Sequence, residues 1–168
     1  MTYAKLKAWL CFRCAPDISI RGMVELLKVY PDPILYVGNE EHEIYQSGML
    51  KPETAKHLAT ATESASLYEV LDKCRNNSID FLCFTDADYP KALQAMQNPP
   101  LILYFKGDLL AALRNPCLAV VGTRKPSSYG IEMCKKSINP VCEQGCTIVS
   151  GLAMGIDTTA HYYIGRAH

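Results

Sequence analysis

No stretch of this sequence approaches the roughly 18 uncharged apolar residues that a membrane-spanning helix requires. The start, Met1-Thr2-Tyr3-Ala4-Lys5, also lacks the long apolar region of a secretory signal. Both absences point to a soluble, cytoplasmic chain. Net charge is absent as well: 17 basic residues balance 17 acidic ones. A neutral chain has no global attraction for nucleic acid. Any such role must rest on a local cluster, and Arg124-Lys125 and Lys135-Lys136 are the candidates, with Arg166 a third contributor. There is no internal repeat and no low-complexity tract. Two common phosphate-binding signatures are missing too, the GxxxxGK[ST] loop and the GxGxxG dinucleotide fingerprint.

What is present is a globular balance, with 49% apolar and 20% charged residues over 168 positions. That length holds one medium domain or two small ones. Eight cysteines are scattered at positions 11, 14, 74, 83, 117, 134, 142 and 146. Cys11 and Cys14 have CxxC spacing, but they sit in a helical apolar pattern. Cys146 opens a run that reads as a buried strand. The cysteines read as reduced thiols used as small core residues, with no metal site; a zinc or disulfide role is the alternative.

Residues 1 to about 75 read as helices with tight breaks. Tyr3, Leu6, Leu10 and Cys14 share one helical face with Trp9, read as core, at its border. Pro16 ends that helix. Ser19 is placed to cap a helix over Ile20 to Tyr30. Short helices are expected at Pro33 to Val37 and at about Glu41 to Gln46. A long one is expected from Pro52 to about Cys74. Beyond the Asn76-Asn77-Ser78 turn, apolar runs at Ile79–Phe84 and Leu101–Phe105 read as strands. Helices are expected after Tyr89-Pro90 and, capped by Gly107-Asp108, up to Leu113. The resulting β-α alternation argues for an α/β layer with a parallel sheet. Domains are expected at 1–75 and 76–168.

Two glycine-bearing loops follow apolar runs. The first is Leu118-Ala119-Val120-Val121-Gly122-Thr123-Arg124-Lys125-Pro126-Ser127-Ser128-Tyr129-Gly130. The second is Cys146-Thr147-Ile148-Val149-Ser150-Gly151-Leu152-Ala153-Met154-Gly155-Ile156-Asp157. A strand that stops at glycine before a helix presents backbone N–H groups and a helix N-terminus, where anions bind. Arg124 can grip a phosphate with two parallel hydrogen bonds, and Thr123, Ser127 and Ser128 add hydroxyls. The plainer reading of the first loop is a strand-to-helix turn with an exposed arginine. Ser127 or Ser128 caps the intervening helix, in which Pro140 predicts a bend or break near Ser137 to Asn139. Asp157 and His161 lie at i, i+4 on one helix and can touch. With no nucleophile at a suitable spacing, that pair reads as a structural hydrogen bond or cap.

At these residues the chain resembles the DNA-processing protein DprA family, also called Smf. The resemblance lies in Val121-Gly122-Thr123-Arg124, Ser128-Tyr129-Gly130, Val149-Ser150-Gly151-Leu152-Ala153-Met154-Gly155-Ile156-Asp157 and Ala160-His161. Upstream, Tyr89-Pro90-x-x-Leu93 and Pro99-Pro100-x-x-Leu103-Tyr104-x-x-Gly107 fit the same pattern. The resemblance implies a small SAM-like or helix-hairpin-helix-like helical domain, then an extended Rossmann-like domain that is incomplete here, the chain stopping at His168. It implies a non-enzymatic protein, without cofactor or catalytic residues. Such a protein binds single-stranded DNA in natural transformation, helps load RecA and dimerises when full-length. Carried over residue by residue, the phosphate site comprises Gly122, Thr123, Arg124, Lys125, Ser127, Ser128, Ser150, Gly151 and Gly155. Thr123 stands where the family has serine, and Met154 where a base is common. The incompleteness implies an exposed sheet edge and apolar face, and DNA binding by this chain alone that is weak or absent. Two alternatives stand beside this reading. One is a nucleotide-phosphate-binding enzyme of nucleoside monophosphate glycosidase type, which needs Asp157 or Asp86 at the sugar. The other is a protein-interaction module with an inert remainder.

Overall fold

Helix formation in this chain is set by caps and prolines. The computed structural model describes residues 3–60 and 65–164. Helix α1 (Tyr3–Arg13) stops short of Pro16, and α2 (Ile20–Val29) starts where the Ser19 side chain accepts the Gly22 amide. Two single-turn 3₁₀ segments follow, Pro33–Leu35 and Glu43–Tyr45, capped by Asp32 and His42. They occupy the places where short helices were expected. Next come α3 (Pro52–Thr60) and α4 (Ala65–Asn76). The single helix expected from Pro52 to Cys74 runs across residues 61–64, which lie outside the described residues.

The chain divides into two compact units, Met1–Gly107 and Asp108–His168. In the first, α1 is buried around most of its circumference, at Leu6, Ala8, Trp9, Leu10, Cys11 and Phe12. The expected one-faced pattern therefore does not hold at its ends. Tyr3 and Cys14 are exposed, because the helix packs against α3, α4 and the Pro33–Leu35 turn together. Trp9 is fully buried and meets Phe12 edge-on at 6.1 Å, and Phe12 meets Tyr36 at 6.0 Å. Strands β1 (Asp80–Cys83) and β2 (Ile102–Phe105) pair with Asp80 opposite Phe105 and Cys83 opposite Ile102. Burial pushes the Cys83 thiol up to about 12, with the Asp86 carboxylate adding to the effect. All eight cysteines are free thiols.

The pairing of β1 and β2 is antiparallel, which corrects the expectation of one parallel sheet. A parallel return needs a crossover element able to cover a sheet face. The intervening helix α5 (Lys91–Gln94) is one turn long. The rest of the link is a folded loop: Tyr89 donates its hydroxyl to the Pro100 carbonyl at 2.6 Å and packs on Phe84, while Gln94 donates to the Phe84 carbonyl at 3.1 Å. These contacts belong to the unit that also holds the helices, so the packing boundary falls after Gly107, whereas a division by element type falls at residue 75.

The second unit is α/β in the expected sense. Asp108 caps α6 (Leu109–Arg114) through the Ala111 amide. Strands β3 (Cys117–Ala119) and β4 (Thr147–Val149) are parallel, with Leu118 opposite Ile148. Helix α7 (Ser128–Glu143) crosses between them and α8 (Ile156–Ile164) follows. The core is small: Ile138, Ile148 and Ala160 are buried, with Val120, Cys134, Val141 and Cys142 packed around them. All three β3 residues are exposed. The expected break near Ser137 to Asn139 does not occur, and α7 runs through Pro140 to Glu143. Pro140 lies one turn from the helix end, where the missing N–H removes only one late rung of the ladder. The end itself is closed by Gly145 donating to the Cys142 carbonyl and Cys146 donating to the Val141 carbonyl. That is the 5→2 and 6→1 bonding of a Schellman stop.

Candidate nucleic-acid interface

The parallel register of β3 and β4 brings the two glycine loops to the same end of the strands. The loops then interlock through their backbones. The Ile156 amide donates to the Thr123 carbonyl at 3.1 Å. Gly155, at φ +96, lies so close that a Cβ there would sit 2.2 Å from the Thr123 carbonyl oxygen and 2.7 Å from Arg124 Cα. A Cβ on Gly122 would fall 2.7 Å from the Ile156 side chain. Neither position has room for a side chain: at Gly155 it would run into another backbone, and at Gly122 into the branched side chain of Ile156.

The first loop faces outward from this junction. Gly122, Thr123, Arg124 and Lys125 are exposed. Thr123 Oγ1 accepts the Lys125 amide at 3.1 Å, a local turn that draws the loop tight. Ser127 is the N-cap of α7, accepting the Gly130 amide at 3.1 Å, and Ser128 opens the helix beside it, exposed. Neither Arg124 nor Lys125 makes an ion pair among the described residues. Lys136 is paired with Glu132 at 2.8 Å, so it is not a free addition to the cluster. Arg166 lies outside the described residues.

The second loop is held from behind. The Gly151 amide, expected to face an anion, donates instead to Asp157 Oδ2 at 3.1 Å. Thr158 donates both its amide and its hydroxyl to the Ala153 carbonyl. Ser150 Oγ is buried and has no hydrogen-bond partner, so it is not presented at the surface. Of the nine residues expected at the site, the structure thus groups Gly122, Thr123 and Arg124 against Gly155, with Lys125, Ser127 and Ser128 alongside. It turns Ser150 and the Gly151 amide inward. Met154 is 76% exposed, so the second loop presents an uncharged thioether at the surface.

Asp157 makes a structural hydrogen bond, as expected, but to the Gly151 amide and not to His161. It is 5% exposed. His161 Nε2 is buried without a partner, so Ser150, His161 and Asp157 form no hydrogen-bonded relay among the described residues. The usable signal was an acidic residue in the first turn of a helix directly after a glycine loop, where a carboxylate meets free amides. Asp86, the other carboxylate considered for sugar chemistry, lies in the first unit. It pairs with Lys5 and accepts the Cys83 amide at 2.9 Å. Both carboxylates are thus committed to structural bonds. Among the described residues there is no cluster of metal-ligating side chains, and no helix is long and apolar enough to cross a membrane.

Comparison with known proteins agrees with this architecture. The chain is 35% identical over 95 residues to the DNA processing protein DprA of Bacillus subtilis, and 36% identical over 97 residues to Protein Smf of Synechocystis. Each match takes in 56% of this chain but only 32% and 24% of the relative. The X-ray structure of DNA processing protein A (DprA) from Streptococcus pneumoniae superposes with a TM-score of 0.69 at 26% identity. That superposition covers 99% of this chain and 55% of the other. The profile of the family described as DNA recombination-mediator protein A matches residues 80–164, half of the chain and all of both loops. The chain therefore belongs to the DNA recombination-mediator protein A family.

Proposed function

We propose that the chain supplies the backbone-phosphate contacts of a single-stranded DNA-binding recombination mediator, with Arg124 as the principal contact. The observation that carries this reading is the interlock of Gly155 with Thr123 and Arg124. It fixes the backbone from which an exposed, unpaired guanidinium leaves the surface. Thr123, Lys125, Ser127 and Ser128 flank that group, and the N-terminus of a 16-residue helix lies beside it. Together they offer a positive and hydrogen-bonding surface to a phosphate. Contacts of this kind hold the strand and do not read its bases.

The role is non-enzymatic. It consists of holding incoming single strands and handing them to RecA in the cytoplasm, within a homodimer. The loops of the second unit form the DNA-facing part, and the helices that open the first unit supply a SAM-like portion of it. Because the sheet of the second unit is two strands wide and β3 is exposed, binding by this chain is weak at physiological salt.

The test is a salt titration of a fluorescein-labelled oligothymidylate against this chain and its Arg124→Ala variant, begun at low ionic strength where exposed charges act over longer distances. Removing one phosphate contact lowers the log–log slope by about 0.7 and weakens binding. An unchanged slope and affinity would remove Arg124 from the interface.

A further inference from the structure

The loop from Gly151 to Ile156 is tied at both ends. Its last residue donates its amide to the Thr123 carbonyl, which fixes it to the first loop. Its first residue donates its amide to Asp157 Oδ2. Asp157 directly follows Ile156 in the chain, so one short stretch of α8 grips the first loop with its backbone and the start of the second loop with its side chain. Asp157 is 5% exposed, and a Cβ on Gly151 would already lie 3.0 Å from its Oδ2. Its charge sits in the first turn of α8, where the helix dipole favours an anion. A carboxylate in that place also supplies internally what a phosphate would otherwise supply to the Gly151 amide.

We propose that Asp157 is a positioning residue for Arg124. By holding the Gly151 amide it presets the second loop, so that Gly155 and Ile156 press on Thr123 and Arg124 and fix the direction in which the guanidinium leaves the surface. The second loop is then a buttress and the first loop carries the DNA phosphate. This inference rests on the single-strand reading above and specifies how that site is built. His161, one turn further along α8, takes no part in the tether, since its Nε2 is unpartnered.

The test compares oligothymidylate binding and its salt slope for the wild-type chain and for Arg124→Ala, Asp157→Ala, Asp157→Asn and the Arg124→Ala/Asp157→Ala double variant. Asp157→Ala weakens binding about tenfold, lowers the slope as Arg124→Ala does, and adds nothing in the double variant, because coupled residues are not additive. Asp157→Asn keeps a side-chain acceptor and restores most of the affinity. A general loss of stability would lower the urea midpoint of Asp157→Ala and would not reproduce the salt slope of Arg124→Ala. Normal or tighter binding by Asp157→Ala, or additive losses, would overturn the inference while leaving Arg124 in place. An Arg124→Ala variant with unchanged binding overturns the single-strand reading and this inference with it. Amide hydrogen exchange on the wild-type chain provides a check that needs no variant to fold: the Gly151 amide is protected, and exchange at the rate of an open loop would overturn the tether.

Discussion

Gly155 occupies a conformation, φ +96, that side chains rarely adopt, and it does so against another backbone. Both conditions bear on one substitution. Gly155→Ala introduces strain of about 1–3 kcal/mol from the dihedral alone. It also places a methyl 2.2 Å from the Thr123 carbonyl oxygen, which only a separation of the loops relieves. The expected outcome is a second unit that unfolds at clearly lower urea by circular dichroism, and loss of any oligothymidylate binding. Gly151→Ala is the milder contrast, since its methyl meets a single side-chain oxygen at 3.0 Å. The presence of these glycines was legible from sequence, because strand-loop-helix glycines mark close backbone approach. What they approach was not. The sequence suggested a ligand, whereas Gly122 and Gly155 approach each other's loops and Gly151 approaches Asp157. A glycine's spacing carries no information on which backbone comes near.

At the scale of elements, local chemistry read well and pairing read poorly. Ser19, Asp108 and Ser127 cap helices as their side chains and positions predict, because a cap is a contact within a few residues. The direction of β2 against β1 depends on how the long link between them folds, and Tyr89, Gln94 and Pro100 decide that through contacts invisible to periodicity. Pro140 sits inside α7 without breaking it. An interior proline is costly, but the Schellman stop just beyond it holds the helix end, so α7 continues to Glu143. Pro140→Ala restores a helical N–H while giving the unfolded chain more freedom, and these partly offset. The net expectation is a gain of about 1 kcal/mol for the second unit, read as a higher urea midpoint at unchanged slope. A drop in midpoint would mean that the proline is instead favoured by its packing.

The two units differ greatly in how much apolar surface they bury. Among the described residues, the buried hydrophobic side chains of the second unit are Ile138, Ile148 and Ala160, whereas the first unit buries Trp9, Phe12, Met23, Leu26, Tyr36, Ile44, Leu58 and others. Hydrophobic burial supplies most of the stability of a domain, and small domains with small cores are marginal. The second unit, which holds both loops, is therefore the less stable one. The molecule carries its own reporter for this difference, since its single tryptophan, Trp9, is buried in the first unit. In a urea titration, far-UV circular dichroism loses amplitude first as α7 and α8 melt, and Trp9 fluorescence changes only at higher urea. Non-coincident probes of this kind are the signature of unfolding that is not two-state. Oligothymidylate added in excess shifts the early transition upward and leaves the Trp9 transition where it was, because a ligand stabilises only the unit that binds it. Coincident curves would show that the loops draw their stability from the larger core, and a shift of the Trp9 transition alone would move the DNA-binding surface to the helical unit.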